Sequence, residues 1–155
     1  MYLCAKRYPQ AIEELERVTA ENSSFSLALW FLAAAYEGAG DNERAFNSEL
    51  QALQAEGESE LANRLRSARS AKGMTAANQL WLEEILKTNQ TGSALYIASL
   101  YAALKDREHT LAWLEKANRD KELMLWQIKY LARYDFVRGD RRFQDILKRL
   151  DFKAS

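Results

Sequence analysis

Arg66 and Arg69, in NRLRSARSAK, stand three residues apart, which places both guanidinium groups on one face of a helix, with Arg64 and Lys72 close by. No acid falls between Leu61 and Asn78 to neutralise them. Two such groups suit a carboxylate, since arginine binds it through paired hydrogen bonds; a solvated helix face is the ordinary alternative. His109 is the single histidine and follows Glu108 with no nucleophile–base pattern around it. Cys4 is the single cysteine, which excludes an internal disulfide and a thiolate-based structural zinc site. Glu13, Glu14 and Glu16 lack metal-ligand spacing and read as a solvated face. Arg138, Arg141, Arg142, Lys148 and Arg149, interleaved with Phe136, Phe143 and Phe152, have the residue types of a nucleic-acid surface. Asp135, Asp140, Asp145 and Asp151 sit among them, and the phenylalanines fall at helix-packing spacing, so an amphipathic closing helix fits better. Asn22-Ser-Ser and Asn89-Gln-Thr match glycosylation acceptors, triplets that are common by chance. No nucleophile–base pair, metal set or phosphate loop emerges, so neither an enzyme nor a cofactor is expected.

The elements that must carry these groups are helical. Proline occurs once and glycine six times, too few to punctuate a many-stranded β protein. Ala, Leu, Glu, Lys, Arg and Gln dominate, which favours helix. The longest apolar run, Leu27 to Tyr36, is about half of what spans a bilayer, and the N-terminus lacks a signal-peptide pattern. Net charge is zero, against a general nucleic-acid binder, yet residues 1–60 carry 4 basic and 11 acidic side chains and residues 61–155 carry 18 and 11.

The chain repeats itself. Tyr2 and Tyr36 are 34 residues apart, as are Ala11 and Ala45. Leu29, Leu32, Ala33, Tyr36, Asp41, Glu43 and Ala52 correspond 65 residues later to Ala94, Ile97, Ala98, Tyr101, Asp106, Glu108 and Ala117. Between them, ESELANRLRSARSAKGMTAANQLWLEEILK fits as a shorter unit of two helices joined near Gly73. Leu29, Leu32, Ala33 and Tyr36 follow the spacing of one helix face. Ala33 and Ala98 are small where a partner helix approaches, and Gly40 suits a left-handed helix end. Asp41, Thr75, Asp106 and Asp140 read as N-caps, and Pro9 suits a first helical turn. Trp30 lies opposite the buried stripe, with Leu27, Ala34 and Glu37 on roughly its face. That face is either an aromatic anchor for a bound segment or, because LALWFLAAAY is apolar all round, covered by neighbouring helices on every side.

These residues resemble the tetratricopeptide repeat family, built of helix–turn–helix units of about 34 residues. LWFLAAAYEGAGDNERAFNSELQA carries the family pattern, and ALYIASLYAALKDREHTLAWLEKA nearly matches it, departing at Lys105 and Thr110. Glu49 occupies a position that is large and apolar in the family. The resemblance implies an all-α, right-handed solenoid forming one domain over residues 1–155. Its parts are a truncated repeat (1–24), a repeat (25–57), a degenerate repeat (58–90), a repeat (91–121) and a C-terminal helical cap (122–155). Tyr2 would then fall near the end of a first helix, so the chain is expected to be a fragment of a longer protein. The segment LWQIKYLARYDFVRGDRRFQDILKRLDF resembles the end of tetratricopeptide domains in bacterial multidomain regulators, which often carry winged-helix or serine/threonine kinase domains upstream. Phe136, Arg138, Asp140, Arg142, Phe143, Ile146 and Leu147 match that pattern, without its two prolines.

By that resemblance the expected function is non-catalytic binding of a protein or peptide segment on the concave face, by Trp30, Glu37, Arg66, Arg69, Leu95 and Ser99. Self-association of the parent chain is the alternative. No nucleic-acid partner, metal or membrane segment is expected, and a cytoplasmic setting suits the fragment.

Overall fold

The computed structural model of the chain describes residue 3, residues 5–88 and residues 93–152, the side chains of 151 and 152 excepted. Tyr2, Cys4, the Asn89 triplet and the Phe152 side chain lie outside the described residues. Among the described residues all regular structure is helical. The α-helices are α1 (Tyr8–Glu21), α2 (Ser26–Gly38), α3 (Asn42–Ala55), α4 (Ser59–Lys72), α5 (Met74–Thr88), α6 (Ala94–Ala103), α7 (Arg107–Arg119) and α8 (Arg141–Phe152). Two 3-10 helices, Leu123–Lys129 and Ala132–Val137, lie between α7 and α8. None of the described helices is long and apolar enough to cross a membrane. The chain forms two compact units: the first holds α1–α4, the start of α5 and Tyr130–Ala132, and the second holds the remainder.

In the first unit α1, α2, α3 and α4 pack in chain order. Pro9 stands in the first turn of α1, where its missing N–H costs nothing. Leu32, Tyr36 and Ala45 join α2 to α3, and Ile12 and Leu15 of α1 close over them. Ala33 is 2% exposed, as the helix-crossing role of a small residue requires. At Gly38 a Cβ would stand 2.2 Å from the Tyr8 ring, so α1 meets α2 where only hydrogen fits. Burying each leucine or phenylalanine of this core contributes about 1.5–3 kcal/mol.

The turn from α2 to α3 follows from two residues. Gly40 takes φ +84°, which glycine adopts without strain. Its N–H donates to the Glu37 carbonyl at 3.0 Å and the Asp41 N–H donates to Tyr36 at 2.9 Å, the bond pair of a Schellman closure. Asp41 then opens α3, its carboxylate accepting the Arg44 N–H at 3.0 Å. One aspartate thus ends one helix and begins the next.

The second unit repeats this turn between α6 and α7. The Lys105 and Asp106 N–H groups donate to Ala102 and Tyr101, both at 3.0 Å, and Asp106 accepts the His109 N–H at 3.1 Å. Lys105 holds φ +58° where the first turn has glycine, a conformation costing a side-chain-bearing residue about 1–2 kcal/mol. Its ammonium sits 4.9 Å from the centre of the Phe136 ring, which offsets part of that cost. Ala98, fully buried, takes the place in α6 that Ala33 has in α2. Helix α7 packs against α6 and α8.

Gly73, at φ +86°, separates α4 from α5. Thr75 does not cap α5: the helix starts at Met74, so Thr75 lies inside its first turn. A glycine that has already turned the chain leaves no room for a cap two residues later.

Candidate functional site

The joints of the two matched hairpins carry matching polar geometry. At the first, the Arg44 guanidinium lies over the Tyr36 ring, 4.6 Å from its centre, while its Nε donates to Asp41 at 2.6 Å. At the second, the His109 ring stacks on Tyr101 with centroids 4.7 Å apart, and its Nδ1 is 2.8 Å from Asp106. Arg44 and His109 are therefore equivalent, each lying on the tyrosine of the preceding helix and bonding to the aspartate cap. The Arg44 backbone N–H and then its guanidinium hold Asp41 below the usual carboxylate range. Burial opposes ionisation of Asp106, yet the His109 N–H and ring hold it low as well. Burial raises both tyrosines above the ordinary phenol value, and Tyr36 also donates its hydroxyl to Glu16. His109 and Asp106 thus serve the joint.

The face of α2 opposite its core is only partly covered. Ala28, Leu29, Leu32, Ala33, Ala35 and Tyr36 are buried, whereas Leu27 is 46% exposed and Trp30, Ala34 and Glu37 are half-buried. The four residues fall at helical spacing, so they form one stripe. Leu27 is the most open of the four, and the other three are partly covered. The Trp30 indole N–H donates to the Glu56 carboxylate at 2.8 Å, which fixes the ring while leaving part of it exposed. An indole held in one orientation loses little side-chain entropy when a partner covers it.

Arg66 and Arg69 take different roles on α4. Arg66 is exposed and donates to Asn63 at 2.9 Å. Arg69 is paired at both terminal nitrogens with Glu43 of α3, one contact being 2.9 Å, and its guanidinium lies 5.1 Å from the centre of the Phe46 ring. The acid missing from the local sequence thus comes from 26 residues away, and Arg69 holds Glu43 below its ordinary value. A carboxylate held by both arginines would have to displace Glu43. Leu95 and Ser99 belong to α6 in the second unit; both are half-buried, and the Ser99 hydroxyl donates to the Tyr96 carbonyl at 2.7 Å. Glu49 is 7% exposed, so a charge-bearing side chain stands where the family pattern has an apolar one.

The closing basic cluster is largely engaged within the second unit. Arg142 forms a paired contact with Glu115 at 2.8 and 2.9 Å and reaches Glu108 at 3.1 Å. These bonds lower Glu115 and raise Arg142. Asp140 caps α8 through the Arg142 N–H at 2.8 Å and is held low chiefly by Arg107, whose Nε donates at 3.0 Å. Arg138 bonds Asp135, Lys148 pairs with Asp145, and Phe143 is fully buried.

Glu122 was not legible as a functional residue. Its carboxylate accepts the Ala94 N–H at 2.6 Å, the Leu95 N–H at 3.3 Å and the Ser93 hydroxyl at 2.7 Å, so it caps α6 from beyond α7. No local spacing marks a cap supplied from 28 residues away.

No family model, curated protein or solved structure matches the chain.

Proposed function

We propose that this chain is a tetratricopeptide-like helical repeat module that binds a segment of a protein partner along the open face of α2, without catalysis of its own. The observation that carries this reading is the stripe of Leu27, Trp30, Ala34 and Glu37, left partly exposed on a helix whose core face is buried. Leu27 and Trp30 offer apolar area, and exposed apolar stripes rimmed by polar groups favour protein contacts. The Glu56 bond orients the indole beforehand, and tryptophan is enriched among residues that dominate binding energy. The matching joints at Tyr36–Asp41 and Tyr101–Asp106 support the repeat reading, because repeats reproduce local geometry at a fixed period. Leu95 and Ser99 stand 65 residues after Trp30 and Ala34, so α6 would present the equivalent face in the second unit. The likeness of the tail to that of bacterial regulators supports a regulatory setting in a longer chain.

The test is quantitative capture from cell lysate with wild type, Leu27→Asp and Trp30→Ala as baits of equal helicity. Loss of the same captured protein from both variants is expected. Capture unchanged by either substitution overturns the reading.

A further inference from the structure

Among the described residues, apart from Leu86 and Phe136, the exposed large apolar side chains gather at two places: Phe25 and Leu27 at the start of α2, and Leu123, Met124 and Trp126 in the first 3-10 helix. Leu123 is 91% exposed. Its position is fixed from both sides. Lys121 holds φ +56°, and the N–H groups of Lys121 and Glu122 bond back to Asn118 and Ala117 at 3.3 and 3.1 Å. Glu122 is anchored on α6, while Leu125 and Ile128 are buried. A leucine between such anchors is a built projection.

The two places differ in charge. Around the projection the acids are occupied, Asp120 by Lys116 and Glu122 by the α6 amides, leaving Arg119 and Lys121 exposed beside it. On α1, which packs against α2, Arg17 bridges Glu14 and Glu21 and Arg44 reaches Glu16, so with Glu13 the four acids still outnumber the two bases. The chain therefore carries both a basic apolar projection and an acidic apolar edge.

We propose that the Leu123–Trp126 projection of one copy seats against the Phe25–Leu27 end of α2 in a second copy, with Arg119 and Lys121 facing the acidic side. This rests on the open face of α2 being an interaction surface, and it names the occupant as the same chain. The contact is heterologous, so each copy offers one projection and one edge, and association grows into short chains unless a ring closes. Five large side chains make a small contact of the transient class.

Sedimentation equilibrium of the wild-type chain between about 10 and 500 μM, the range suited to a transient contact, should show a mass that rises with concentration. Leu123→Asp alone and Leu27→Asp alone should each stay monomeric, with circular dichroism confirming that both fold. An equimolar mixture of the two should form dimers and stop there, because one variant keeps the edge and the other keeps the projection. Lys121→Glu, which leaves the apolar groups in place, should weaken association about threefold or more at low salt. A wild-type chain that stays monomeric throughout overturns the proposal, and so does a mixture that fails to dimerise. If α2 variants still lose a foreign partner while the wild type is monomeric, this contact falls and the binding function stands.

Discussion

Replacing Glu122 with alanine removes an acceptor of two backbone N–H groups and one hydroxyl at the N-terminus of α6, at 2.6, 3.3 and 2.7 Å. Each hydrogen bond to a charged group contributes about 1.5–3 kcal/mol when its partner is left buried and unpaired. The site is only part-buried, so water replaces some of that, and the Ser93 hydroxyl still accepts the Tyr96 N–H. A net loss of about 2 kcal/mol follows, equivalent to a fall in melting temperature of about 4–8 °C for a chain of this size. Glu122→Gln keeps one acceptor oxygen without the charge that favours a helix N-terminus, so about half of that loss is expected. Thermal melts by circular dichroism give the magnitude, and amide exchange at Ala94 and Leu95 gives the location. A Glu122→Ala chain that melts with the wild type, with both amides still protected, would show that Glu122 does not hold the start of α6.

Ala33→Leu adds volume at a crossing where the native side chain is 2% exposed, and should destabilise by about 1–3 kcal/mol in a urea titration. Lys121→Gly removes a left-handed side-chain-bearing residue whose backbone bonds survive the change, and should stabilise by about 0.5–1 kcal/mol in the same assay. Asp41, Glu43, Asp106, Glu115 and Asp140 all have folded pKa values below the ordinary carboxylate range. Their contribution is complete above the unfolded value of about 4 and is lost as pH falls through the lower folded values. The urea midpoint should therefore hold steady near neutrality and drop below about pH 4, with Glu115→Gln flattening the slope.

The matched hairpins were legible because their determinants are local: the Leu32–Tyr36 face, the Gly40 turn and the Asp41 and Asp106 caps each occupy a few consecutive residues. Lys105 and Lys121 hide the same turn behind residue types that disfavour it. Glu43 on Arg69, Glu122 on α6 and Glu115 on Arg142 are tertiary contacts over 26 to 28 residues, for which periodicity carries no signal. The 3-10 helices likewise lack the helical stripe that marks α2 or α7. Trp30 was visible as a tryptophan opposite the core stripe, but whether neighbours cover it depends on how α2 sits in its unit.

A photo-reactive residue placed at position 27, compared with one at Asn47 on the exposed surface of α3, tests the binding face of α2 most directly. A discrete covalent adduct is expected from position 27, to a partner or to a second copy, and none from position 47. Equal yields from both positions, or none from position 27 while position 47 reacts, would contradict it.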